Sequence, residues 1–103
     1  MTSAEIGNIG ERYVGAWLHA RGYQYYRNTQ LPGSTDIEAS GPASLLVQVK
    51  TAVYPRSPTE LTPDERRAII TRANRNGRQA WLAQLQIDSS GAMLGSINWI
   101  KLT

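Results

Sequence analysis

The chain has 103 residues, 41% of them hydrophobic, with no cysteine, one histidine and a formal net charge of +3. This is enough sequence for one domain with a single core, residues 1–103, and too little for two. Disulfides and thiolate metal sites are excluded, no apolar run approaches the roughly 20 residues of a membrane span, and any metal must be held by oxygen ligands, which suits magnesium or manganese.

The first residues show no basic start followed by an apolar stretch, so the expected location is the cytoplasm. Residues 2–21 read as a helix. Thr2 with Glu5 has capping-box form, and Ile6, Ile9, Tyr13, Val14, Trp17 and Leu18 make one apolar stripe at spacings of three and four, the face expected on a sheet. Gly7, Gly10 and Gly15 each cost about 1 kcal/mol in a helix interior, which points to close approach of another backbone. Glu11 lies at the flank of the stripe, either solvated or reaching toward the edge of the sheet. His19 falls on the far side and reads as surface. Gly22 ends the helix.

Residues 23–28 alternate as a first strand, with Tyr23, Tyr25 and Tyr26 expected to be packing residues, and Leu31, Pro32, Gly33 and Ser34 read as a turn. Thr35 to Ala39 is the next strand, Gly41 to Ser44 the connection, and Leu45 to Lys50 a third. The two-residue period sets Leu45, Val47 and Val49 on one face and Leu46, Gln48 and Lys50 on the other. A glutamine and a lysine in so apolar a strand need polar partners, and hairpin folding brings Asp36 opposite Gln48 to Lys50.

Ala52 to Leu61, with Pro55 and Pro58, is expected to be a loop, and a mobile one. Thr62, Pro63 and Glu65 start a second helix that runs to about Asn76 and stops at Gly77, with Ile69, Ile70 and Ala73 on its one narrow apolar side. Arg66, Arg67, Arg72, Arg75 and Arg78 cluster there, either as a solvated face or as a grip on the phosphates of a nucleic acid. Residues 79–87 and 93–102 complete the set as two strands joined by a turn at Asp88 to Gly91. The order is helix, three strands, helix, two strands: an α/β fold with a mixed central sheet of about five strands.

The residues suggest a chemistry. Asp36, the side-chain oxygen of Gln48 and the carbonyl of Val49 could hold Mg²⁺, with Glu11 completing the shell directly or through water. Lys50 would orient a metal-bound water or offset charge in a phosphorane-like transition state. The other reading of Asp36 and Lys50 is a cross-strand ion pair capping a hairpin, worth about 0.2–1 kcal/mol if exposed.

Gly10-Glu11 in the first helix, then Asp36, then Gln48-Val49-Lys50, in this order of elements, resembles the PD-(D/E)xK, or restriction-endonuclease-like, nuclease superfamily. The glutamine is similar to the Mrr-type nucleases, and the small size with a helix-one glutamate looks like Holliday junction resolvases. The resemblance covers roughly residues 3–87 and implies metal-dependent hydrolysis of DNA phosphodiesters, with Asp36 and Gln48 as metal ligands, Lys50 as the water-orienting group and Glu11 as the helix-one acid. Thr35 stands where the pattern has proline, and Gln48 removes one negative charge, which weakens metal affinity. A homodimer, or service as a subunit of a larger complex, is expected for so small a nuclease. The alternative is a catalytically silent module that uses its arginines to hold nucleic acid or a protein partner. An RNA-processing or toxin-type nuclease would keep the same residues.

Overall fold

A computed structural model of the chain describes residues 1–28 and 36–103. The turn expected at Leu31 to Ser34, and Thr35, lie outside the described residues. The elements are α1 (Ser3–Ala20), β1 (Gln24–Asn28), β2 (Asp36–Ser40), β3 (Ser44–Val53), α2 (Pro63–Arg75), β4 (Gln79–Ile87) and β5 (Met93–Lys101). Both helices start where their sequences encode a capping box: Thr2 with Glu5 on α1, Thr62 with Glu65 on α2. Each stops at a glycine with positive φ just beyond its C-cap, Gly22 at +87° and Gly77 at +66°, a conformation that costs a residue without Cβ little.

The strands lie in the order β1-β2-β3-β4-β5, antiparallel except for the parallel pair β3 and β4 that α2 connects. The alternation of β3 decides the layers. Leu45 and Val47 join Val14 and Leu18 of α1 in one core, with Ile37, Ala39, Ala83 and Leu85. Leu46 joins Ile69 and Ala73 of α2 in a second core, with Ala80, Leu82 and Leu102. The sheet is therefore covered by one helix on each face. At one end of the α1 side the three tryptophans gather, Trp17 and Trp99 with ring centroids 4.7 Å apart and Trp81 edge-on to Trp99 at 6.2 Å.

Several expectations need correction. The loop after β3 starts later than expected, because the ladder to β4 continues to Val53 opposite Ile87. That loop is also tied down: Tyr54 N donates to Ile87 O at 2.8 Å, Gln86 Nε2 to Arg56 O at 2.7 Å and Gln84 Nε2 to Thr59 O at 3.0 Å. Hydrogen bonds from β4 thus replace the regular ladder that the prolines interrupt. The helix-one glycines admit side chains rather than backbone: Gly10 faces Thr51, Gly15 faces the Tyr25 ring, and a Cβ at Gly7 would meet nothing within 4 Å. Of the strand-one tyrosines, Tyr23 packs on the core, while Tyr25 and Tyr26 are 39% and 59% exposed because β1 is an edge strand. His19 is exposed.

Candidate active site

Asp36 pairs with Gln48 in the β2–β3 register, and Gln48 in turn lies beside Leu82 of β4. Gln48 is buried at 9% exposure between the apolar rows of the α2 side, so its amide sits at the boundary where the core gives way to polar groups. Lys50, two residues further along β3, is on the same face by strand period. β3 emerges at this end of the sheet, and the chain enters α2 from the same end, so the first turn of α2 overlies the end of β3. The consequence is direct: Lys50 Nζ donates to Glu65 Oε2 at 2.7 Å.

Glu65 serves two elements at once. Its Oε1 accepts from Thr62 N at 2.9 Å to close the capping box, and its Oε2 holds Lys50. The hydrogen bond from Lys50, then the one from Thr62 N, hold the Glu65 carboxyl below the usual carboxylate range. The carboxylate beside Lys50 was not in the sequence reading. Its signal was present, since a capping-box glutamate at the start of a crossover helix must lie near the end of the preceding strand. Glu38, two residues beyond Asp36 along β2, accepts from the Tyr26 hydroxyl.

Glu11 occupies the other side of the sheet. It is buried at 6% exposure and forms an ion pair with Arg27 of the edge strand β1, whose Nη2 also donates to Asn8 Oδ1 at 2.6 Å. Arg27 is opposite Ile37, which belongs to the α1 core, so this pair lies on the α1 face while Lys50 meets α2. Burial pushes the Glu11 carboxyl above its usual range, and the Arg27 charge only partly opposes this. The structure brings Gln48 and Lys50 together with the register position of Asp36, and pairs Glu11 with Arg27 on the α1 side.

Among the described residues no three histidine, cysteine, aspartate or glutamate side chains gather as a metal site. Gln48 and the Val49 carbonyl are oxygen donors here, with Asp36 at the register position opposite Gln48; such a set suits a hard divalent cation in kind but offers it little negative charge. Residues fitting such an ion are therefore present, with Glu65 the nearby carboxylate already committed to Lys50.

The arginines do not form one patch. Arg66 and Arg75 are exposed, Arg67 is exposed and ion-paired with Asp64, and Arg72 is half-buried. Arg78 is structural: its Nη1 donates to Ala39 O at 3.0 Å and to Leu45 O and Ser40 Oγ at 3.3 Å, fastening the β2–β3 connection. From Arg66 to Arg75 the remaining arginines of α2 span about 14 Å of helix axis and point to different sides of it, rather than clustering at the lysine.

No family model matches the chain, and no curated protein does. Among solved structures it is similar to Hjc of Archaeoglobus fulgidus, a Holliday junction resolvase from an archaeal hyperthermophile, with a TM-score of 0.70 and 23% identity over 93% of this chain and 72% of that one. The fold is restriction-endonuclease-like. In this fold Asp36 of β2 and Gln48 of β3 are register partners, and Lys50 follows Gln48 by two residues. No helix among the described residues is long and apolar enough to cross a membrane.

Proposed function

We propose that the protein is a metal-dependent nuclease that hydrolyses DNA phosphodiester bonds. The observation that carries this is the register of Asp36 on Gln48, with Lys50 two residues on, within a restriction-endonuclease-like fold. Asp36, Gln48 and the Val49 carbonyl would hold Mg²⁺ or Mn²⁺, and the ion when bound would supply Lewis-acid stabilisation and a more acidic water. Lys50 is the cation for charge building on the phosphoryl oxygens, and Glu65 positions its ammonium. Glu11 acts from the opposite face as a buried partner of Arg27 and is left out of the ion's shell. Arg66, Arg67, Arg72 and Arg75 contact the phosphate backbone without reading sequence, whereas Arg78 contributes by holding the hairpin.

The test joins binding and turnover. Calorimetric titration of Mn²⁺ into wild type and Asp36→Ala, followed by cleavage of mixed DNA substrates, is expected to show saturable binding that the variant lacks. Lys50→Ala is expected to lose cleavage while retaining DNA binding. Sedimentation with and without DNA checks the homodimer expected for cutting two strands.

A second reading has its own support. Only one carboxylate lies at the register position of the donor set, Gln48 is neutral and Lys50 is neutralised by Glu65. Those features suit a silent module that binds nucleic acid or a protein partner. It is the better account if neither protein binds Mn²⁺ and DNA binding survives both substitutions.

A further inference from the structure

Beside Lys50 the surface opens into a cleft of about 680 Å³, walled by the first turns of α1, the last residues of β3 and the turn that follows. No aspartate or glutamate is among its lining residues, which include Lys50, itself paired with Glu65, together with Arg56, hydroxyl-bearing residues and Tyr54. Such a lining suits an anionic chain. At its mouth Tyr54 is 65% exposed, and among the described residues its hydroxyl has no hydrogen-bond partner and Arg56 no acidic one.

An exposed tyrosine alone is unremarkable on a protein surface. The backbone that carries this one is tied down. Its own N–H continues the ladder to Ile87 O at 2.8 Å, Arg56 N closes the turn onto Val53 O at 2.9 Å, and the Gln86 side chain grips Arg56 O at 2.7 Å. The Gln84 side chain, itself accepting from Asn98 Nδ2 at 3.0 Å, fastens the same segment at Thr59. Two glutamines of β4 thus fasten a turn that carries an exposed aromatic ring and an exposed guanidinium, Tyr54 and Arg56. An aromatic face presented on a rigid turn loses little conformational freedom when a flat ligand settles on it.

We propose that Tyr54 is a stacking platform for an unpaired base, with Arg56 on a flanking phosphate, so that the cleft takes nucleic acid at an unstacked nucleotide in preference to continuous duplex. A base inside a duplex is already stacked on both faces and cannot use the ring. A single strand offers that face freely, and its backbone then runs along the acid-free cleft toward Lys50. This inference rests on the nucleic-acid reading above and adds a substrate class to it.

The test is fluorescence anisotropy with a labelled 20-nucleotide single strand and the matching duplex, in EDTA, so that binding is read without cleavage. Stacking on one aromatic side chain is worth about 1–3 kcal/mol per base, which predicts that Tyr54→Ala weakens single-strand binding by about 5- to 150-fold. Duplex binding is expected to be unchanged, and Tyr54→Phe and Tyr54→Trp are expected to bind like wild type because they keep the ring. Arg56→Gln is expected to lower the slope of log K against log salt by about 0.7 for the single strand. The proposal is overturned if Tyr54→Ala binds the single strand like wild type, if it weakens both substrates equally, or if Tyr54→Phe loses as much as alanine. Failure of the nuclease reading looks different: wild type binds the single strand through Tyr54 but cuts nothing with Mg²⁺ or Mn²⁺ added.

Discussion

Gly10 and Gly7 occupy the same helix and have opposite expected responses to alanine. A Cβ built at Gly10 lies 1.7 Å from Thr51 Oγ1, 2.9 Å from Thr51 Cβ and 3.1 Å from Thr51 Cγ2. Rotating Thr51 so that its Cβ hydrogen faces Gly10 removes the hydroxyl overlap, but the 2.9 Å Cβ contact does not move at all. Thr51 is paired with Leu85 within the β3–β4 ladder, so the strand cannot retreat without breaking hydrogen bonds. Overpacking of this kind costs about 3 kcal/mol at the upper end of its range, against which alanine gains about 1 kcal/mol of helix propensity. A net loss of about 2 kcal/mol lowers the melting temperature of a domain of this size by about 8–16 °C. At Gly7 nothing lies within 4 Å, so alanine there keeps the propensity gain and raises the melting temperature by about 4–8 °C. Thermal unfolding followed by circular dichroism measures both. Gly10→Ala melting at or above wild type would refute the steric argument, and with it the close contact of α1 with β3 at Thr51.

Further outcomes follow from the ion pairs. Arg78→Ala leaves the Ala39 and Leu45 carbonyls without their guanidinium, and is expected to cost about 1.5–3 kcal/mol in urea unfolding while the salt dependence of DNA binding stays as in wild type. Because burial raises the Glu11 carboxyl above its ordinary value of 4.5, the folded chain holds that proton longer than the unfolded chain. Its contribution to stability is therefore full below the ordinary value and is lost as pH rises through the raised one, a decline expected to vanish from the pH profile of Glu11→Gln. Glu65 has the opposite sign: its lowered value makes stability present above 4.5 and lost as pH falls through the folded value. The partly exposed Lys50–Glu65 pair limits the size of this effect to about 1 kcal/mol, and Glu65→Gln is expected to flatten the acid limb. If Glu65 orients Lys50, the same variant lowers the cleavage rate with Mg²⁺ while leaving the KM for DNA near that of wild type.

The element order and the alternation of β3 were legible in the sequence because they depend on local rules. Capping boxes at Thr2 and Thr62, glycines after each helix and the two-residue period of Leu45 to Lys50 act over a few residues, and each appears in the structure where the sequence placed it. The pairing of Asp36 with Gln48 was also legible, since a short connection leaves a hairpin little choice of register. Which charge meets which was decided by tertiary structure alone. Helix phase put Glu11 at the flank of its stripe, but only packing of α1 against the edge strand gave it Arg27 and buried it. The five arginines looked alike as a run, yet the end of α2 sends Arg78 into the β2–β3 connection and leaves Arg66 and Arg75 outside. Lys50 acquired Glu65 because the crossover returns the helix over the strand that precedes it. Local propensities act between neighbours in the chain, whereas the field at a buried charge is set by groups that only the finished fold brings near.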